Sequence, residues 1–433
     1  MTTTQPSSPV PRGPGSPACP AQVGTPVLPR IVSIDVFRGL TMLLMLFVND
    51  IGDSDLGHIA DAPWWLKHLP TEIDGLTLPD VIFPAFLFIV GLSIPIALER
   101  RIARGDSLLR LAGHIVTRGL GLIFIGLCMV NGCHGIPLNA AAMGISGALW
   151  RVLLFLGIIL LWNRWPAAHD WKRWLWVGVR AAAVAMLAYL LWIYRADQEE
   201  NGVVHVVWLQ TRWWGIVGLI GWGYLVSAFI WLGCRDHGTA VAGALALLVA
   251  THIGGKCGAL AWWPTWLKPS LEGLAGMSSM VVAGMVVATL FRPNSPATTP
   301  KSRITWMLVF AAGFGAAGLL LRPLWGIHKN GATPSWTLCS VGIACAVYTL
   351  LYWLIDVKKV TRWTALVQPA GSNTLLMYML HFAFYSLLAV LGIDYLQTHF
   401  NAGGLGIARS AVLAAGLVAV TALLTRCRIR LQL

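Results

Sequence analysis

The 433 residues are 57% hydrophobic and only 11% charged, with a mean hydropathy of +0.69 and a net charge of +13. A soluble domain carries about 25% charged residues, so this composition excludes a water-soluble fold, and its continuous apolar runs exclude the alternating segments of a membrane β-barrel. The excess of positive charge comes without an aromatic and basic stripe, so it fits the positive-inside bias of cytoplasmic loops and excludes a nucleic-acid surface.

Residues 1–29 are rich in Pro, Ser, Thr and Gly, a composition that buries too little apolar surface to fold. They predict a disordered cytoplasmic tail, and no basic stretch followed by an apolar one marks a signal peptide. Residues 30–433 form one transmembrane domain. Its apolar runs predict twelve helices: 34–50, 80–98, 113–130, 147–163, 173–194, 213–233, 238–253, 273–291, 304–321, 335–355, 371–392 and 404–425. The fold class is therefore all-α, a polytopic bundle embedded in the lipid bilayer.

Loop charges orient it. Arg100, Arg101, Arg104 and Arg110 follow the second span, and Arg164, Lys172 and Arg173 the fourth. Arg292, Lys301 and Arg303 follow the eighth, Lys358, Lys359 and Arg362 the tenth, and Arg426, Arg428 and Arg430 the last. The acids gather in the alternate loops, Asp53 to Asp74 after the first span and Asp197 to Glu200 after the fifth. Both termini are thus expected on the cytoplasmic side. Many of the 22 Trp residues fall near span ends, as an interfacial aromatic belt requires. The eight Cys residues form no CxxC pair, so neither a disulfide framework nor a zinc site is expected.

Ionisable groups inside a bilayer are costly and draw attention first. Asp35 and Arg38 lie three apart on one helical face. They are either an intrahelical pair or, for Arg38, a site for an anionic group such as a phosphate. The first span closes on Asn49 and Asp50. The long loop after it holds His58 and His68 among the carboxylates Glu72, Asp74 and Asp80. An imidazole beside a carboxylate makes a general base near neutral pH, while composition alone favours two solvated loop histidines. No helical i, i+4 ligand pair and no thiol takes part, so no metal is expected. Further polar candidates are Arg118, Arg151, Arg322 with His328 and Lys329, and Asn373, Tyr378 and His381 in the eleventh span. Glu272 opens the eighth span as an N-terminal acid.

Several segments resemble the heparan-α-glucosaminide N-acetyltransferase family, which includes many bacterial members. These are RIVSIDVFRGLTMLLML from Arg30 with Phe47-Val48-Asn49, and DGLTLPDVIFPAFLFIVGLSIP from Asp74. The similarity continues in TRWWGIVGLIGWGYL from Thr211, IHKNGATPSW from Ile327, YWLIDVKK from Tyr352 and GSNTLLMYMLHFAFY from Gly371. The resemblance implies acetyl-CoA as co-substrate, entering from the cytoplasmic side, with its acetyl group passed near the opposite face to an amine or hydroxyl. It matches His68 to the family's catalytic histidine, with His58 in reserve, and Asn49 to the asparagine that closes the first span. Asp74 or Asp80 would orient the imidazole, and Arg38 and Arg118 would hold the CoA phosphates. It also implies a homodimer, a bacterial inner-membrane location and a small-molecule or glycan acceptor. The competing class is a secondary transporter of a small polar or anionic solute. Matching halves with Gly/Pro-broken spans would mark one, and the Pro-bearing second span has no counterpart near the eighth.

Overall fold

The computed structural model describes residues 31–52, 59, 61–70, 72–134, 136–166, 171–235, 237–264 and 268–431. The N-terminal tail, His58, Asp53 and Asp55 therefore lie outside the described residues. Each of the twelve expected spans is a helix. In chain order they are α1 (Val32–Gly52), α2 (Leu78–Ala103), α3 (Leu108–Cys133), α4 (Gly147–Trp162), α5 (Trp171–Ile193) and α6 (Gly215–Cys234). Then come α7 (Gly238–Lys256), α8 (Lys268–Thr289), α9 (Pro300–Trp325), α10 (Pro334–Leu351), α11 (Thr374–Val390) and α12 (Gly403–Arg426).

Ten helical segments among the described residues are long and apolar enough to cross a membrane. The other two are apolar but shorter, α4 at 16 residues and α11 at 17. At 1.5 Å per residue these rise about 24–26 Å, just under a typical hydrocarbon core of about 30 Å. The chain is a multi-pass membrane protein.

The helices are not equivalent. In the most apolar stretch of α2 and of α8, 72% of residues are buried inside the protein, against 11% for α9. The first two form the centre and α9 the lipid-facing rim. The central pair is drawn together by glycine. A Cβ on Gly91 would sit 1.8 Å from the Val281 carbonyl oxygen, and one on Gly284 would sit 2.0 Å from that of Phe88. Lipid tails give helices no hydrophobic reason to associate, so close backbone approach through small residues supplies the attraction.

At one end of the bundle the chain seals itself. Asp356, in a π-helical turn (Tyr352–Val357) that continues α10, accepts the first amides of α1 from Val32 at 3.2 Å and Ser33 at 3.0 Å. A carboxylate there satisfies orphan donors and complements the helix dipole. Successive helices alternate in direction, so the segment carrying His68 before α2, the Gly326–Thr333 loop and the start of α12 share the other end.

That end also carries an element absent from the sequence expectations. Ala196–Glu200 (β1) pairs antiparallel with Val203–Val207 (β2) across Asn201-Gly202. Both turn residues have positive φ, 53° and 78°, the backbone that an Asn-Gly hairpin turn demands.

Candidate functional site

Thr77 and Asp80 open α2 as a reciprocal cap. Asp80 Oδ2 accepts the Thr77 amide at 3.1 Å and the Thr77 hydroxyl at 2.7 Å, the capping-box arrangement that fixes a helix start. The Trp336 indole of α10 donates to the Asp80 carbonyl at 3.0 Å. Asp80 is thereby held by two helices, and its second oxygen, Oδ1, meets His68 Nδ1 at 2.7 Å. An ionised carboxylate only accepts, so Nδ1 carries the proton and Nε2 keeps the lone pair. The His68 side chain is 40% exposed while that of Asp80 is 5% exposed. The anchor is buried and the ring it orients faces open space.

The ring has a third neighbour. Lys329 Nζ lies 2.9 Å from His68 Nε2 and 3.3 Å from Nδ1. Lys329 sits in the tight loop between α9 and α10, which side chains fasten at several points. Gly326 takes a φ of +65° to leave α9, and Ser335 donates to its carbonyl. The Thr333 hydroxyl accepts the His328 amide at 3.1 Å. Lys256 donates to the Gly331 carbonyl at 2.9 Å while pairing with Glu272 at 2.7 Å. Glu272 thus balances a lysine on the neighbouring helix, a role its place at the head of a span did not announce. Burial pushes the Lys329 amine down to about 8, against the opposing pull of the Asp80 charge.

Asp74 lies beside this group but serves another purpose. Its carboxylate accepts from Arg322 Nε and from the Ile327 amide, each at 2.7 Å, and the Gly75 amide returns a bond to the Ile327 carbonyl at 3.2 Å. The Arg322 and Ile327 hydrogen bonds hold it below the usual carboxylate range. Asp74 staples the His68 loop to the Lys329 loop, and the imidazole meets Asp80 instead.

Asn49 is half-buried on the last turn of α1 and is not hydrogen-bonded to His68 or Asp80 among the described residues. Its neighbour Asp50 is the centre of a sealed polar cluster. Asp50 accepts from Tyr385, from Ser410 and from Arg409 at 3.0 Å, and faces His381 Nε2 at 3.4 Å. The Asp50 and His381 side chains are each 1% exposed.

Arg38 and Arg118 stand toward the opposite end. Arg38 donates to the Ser93 hydroxyl at 2.7 Å and to the Gly371 carbonyl at 3.4 Å, with Asp35 at 3.6 Å. Even so, 26% of its side chain stays accessible. Arg118 lies over the Tyr224 ring at 5.1 Å, and its charge is close enough to act on Arg38. Ser93 follows Asp80 by 13 residues on α2, a rise of about 20 Å. The two arginines and the His68 group are therefore separated along one central helix.

The structure brings His68 and Asp80 together, sets Asp74 one contact away, and leaves Asn49, Arg38 and Arg118 apart from them. The sequence marked Lys329 and His381 as polar candidates without their partners. The pairing of His381 with Asp50 was missed, although Asp50 and Arg409 are opposite charges lying inside two apolar spans, which was the available signal.

Residues 30–261 match the family model of a domain of unknown function, DUF5009. The chain is similar to the heparan-α-glucosaminide N-acetyltransferase of Mus musculus, 28% identical over 369 residues that cover 81% of this chain and 53% of that protein. It is equally similar to the Homo sapiens protein of the same name, 28% identical over 386 residues that cover 82% of this chain and 53% of that one. The chain spans about half the length of these curated relatives.

Proposed function

This chain belongs to the DUF5009 family and is a relative of the heparan-α-glucosaminide N-acetyltransferases, and from that kinship we propose that it is a transmembrane acyltransferase. It moves an acetyl group from cytoplasmic acetyl-CoA to an amine or hydroxyl of a sugar-like acceptor on the outer face. The single observation that carries this reading is the Asp80–His68 pair, a buried acid orienting a half-exposed imidazole whose Nε2 faces away from the acid toward Lys329 Nζ.

Acetyl-CoA supplies the activated acyl group, and the residues of the chain do the rest. Arg38 and Arg118 hold phosphate charge, since guanidinium groups suit phosphate oxygens and Arg38 keeps accessible surface. The donor's acyl-bearing arm would have to bridge the distance of about 20 Å between the level of Ser93 and that of Asp80. At the far end His68 accepts the proton of the attacking amine or hydroxyl through Nε2, and Asp80 stabilises the imidazolium that results. With an acceptor bound, Lys329 in its protonated form donates to the oxygen where negative charge develops, and its lowered pKa of about 8 leaves the unprotonated form accessible as well. Asn49 closes the first span within reach of the same end and supplies a further donor to the bound substrate. The protein works in a bacterial inner membrane, with both termini cytoplasmic, and as a homodimer.

The test is release of free CoA thiol from acetyl-CoA by purified protein when glucosamine or an amino-sugar glycan is added. Thiol release that depends on both acceptor and His68 supports the reading. Acetyl-CoA left intact in the presence of every amine and hydroxyl acceptor tried would count against it.

A further inference from the structure

Resting on the acyltransferase reading, we infer that Lys329 is a self-acetylation site: with no acceptor bound, its amine takes the acetyl group in the acceptor's place. The acceptor of such a reaction must bring a nucleophilic nitrogen or oxygen to His68 Nε2. A nitrogen already stands there, Lys329 Nζ at 2.9 Å. The hydrogen bonds around Gly326, Gly331 and Thr333 keep its loop from swinging away. Lys256, at the end of α7, is spent on Glu272. Only the unprotonated amine attacks a thioester, and burial favours that form.

The step balances without another reactant. The Lys329 nitrogen lone pair attacks the thioester carbonyl, so a C–N bond forms and the C–S bond breaks. His68 takes the proton that the nitrogen sheds and passes it to the departing thiolate. The products are Nε-acetyl-lysine and free CoA. The acetamide carries no charge and fills the place in front of Nε2, so the modified chain is a blocked enzyme. An acceptor in the site competes with the lysine and protects it.

The experiment incubates the full-length chain in detergent with isotope-labelled acetyl-CoA and no acceptor, then locates the label by peptide mass spectrometry. Acetyl-CoA binding is followed in the same samples by thermal shift. The variants are His68→Ala and Lys329→Arg, the second keeping the charge. Exposed Lys172, Lys301 and Lys358 report uncatalysed acetylation. The expected result is label concentrated on Lys329, slowed roughly 10²-fold or more in His68→Ala, the usual size of a general-base contribution, and suppressed by added glucosamine. Two outcomes with acetyl-CoA bound would overturn the inference while leaving the acyltransferase reading standing: Lys329 labelled no faster than the exposed lysines, or labelled equally fast in His68→Ala. Absence of acetyl-CoA binding by folded protein would overturn both together.

Discussion

Asp50 and Asp80 sit at the same end of the bundle, one closing α1 and the other opening α2, and each holds a histidine. Their surroundings differ. Asp50 is enclosed by Tyr385, His381, Arg409 and Ser410 from α11 and α12, and its histidine is 1% exposed. Asp80 is equally buried, yet its histidine is 40% exposed. The sealed cluster spends its charge on charge and clamps three helices together. The open one turns a buried acid outward through an imidazole. On the proposed function, exposure of the second group, more than the presence of an acid and a histidine, is what separates a structural centre from a chemical one.

The sharpest way to break this comparison is to remove each centre in turn. His68→Ala should cut acetyl transfer by about 10²–10⁴-fold while leaving the thermal unfolding midpoint and acetyl-CoA binding near wild type. Asp50→Ala should do the reverse. It leaves Arg409 buried without its carboxylate, a loss of about 3–5 kcal/mol, read as a lower unfolding midpoint in detergent. A variant at Asp50 that keeps full stability, or one at His68 that unfolds, would contradict the assignment.

A smaller effect comes from Lys329. Its amine is lowered from 10.5 to about 8 in the fold. Between those values the unfolded chain holds a proton that the folded chain has released, so stability rises with pH across that window. Lys329→Met should flatten this part of the pH–stability curve. The smallest effect is expected from Thr77→Ala, which removes the hydroxyl from the cap of α2 and costs about 1 kcal/mol. It should also loosen Asp80 and raise the exposure of His68 to alkylating reagents. An unchanged alkylation rate would mean that the cap does not position the imidazole.

The helices were legible because the bilayer enforces one pattern, long apolar runs separated by charge; α4 at 147–163 stood out by composition, while α7 at 238–253, short and Gly-rich, carried the weakest signal. The hairpin at Asn201-Gly202 carried its own turn signal within a loop read only for its acids. The site was legible in part. Thr77 and Asp80 follow the spacing of a capping box, and the sequence left Asp74 and Asp80 as equal candidates to orient His68. Choosing between them requires knowing that Arg322 and the Ile327 amide, about 250 positions away, engage Asp74. The pairing of His68 with Lys329 is separated by 261 residues. No local pattern encodes such a contact, because the packing of α10 against α2 creates it.

The most direct test is calorimetric titration of acetyl-CoA into the purified chain, with His68→Ala and an Arg38→Gln, Arg118→Gln double variant alongside. Micromolar binding is expected of wild type, the same binding of His68→Ala, and a marked loss of the double variant. Folded wild-type protein that binds neither acetyl-CoA nor CoA would contradict the acyltransferase reading and shift the weight to a solute transporter.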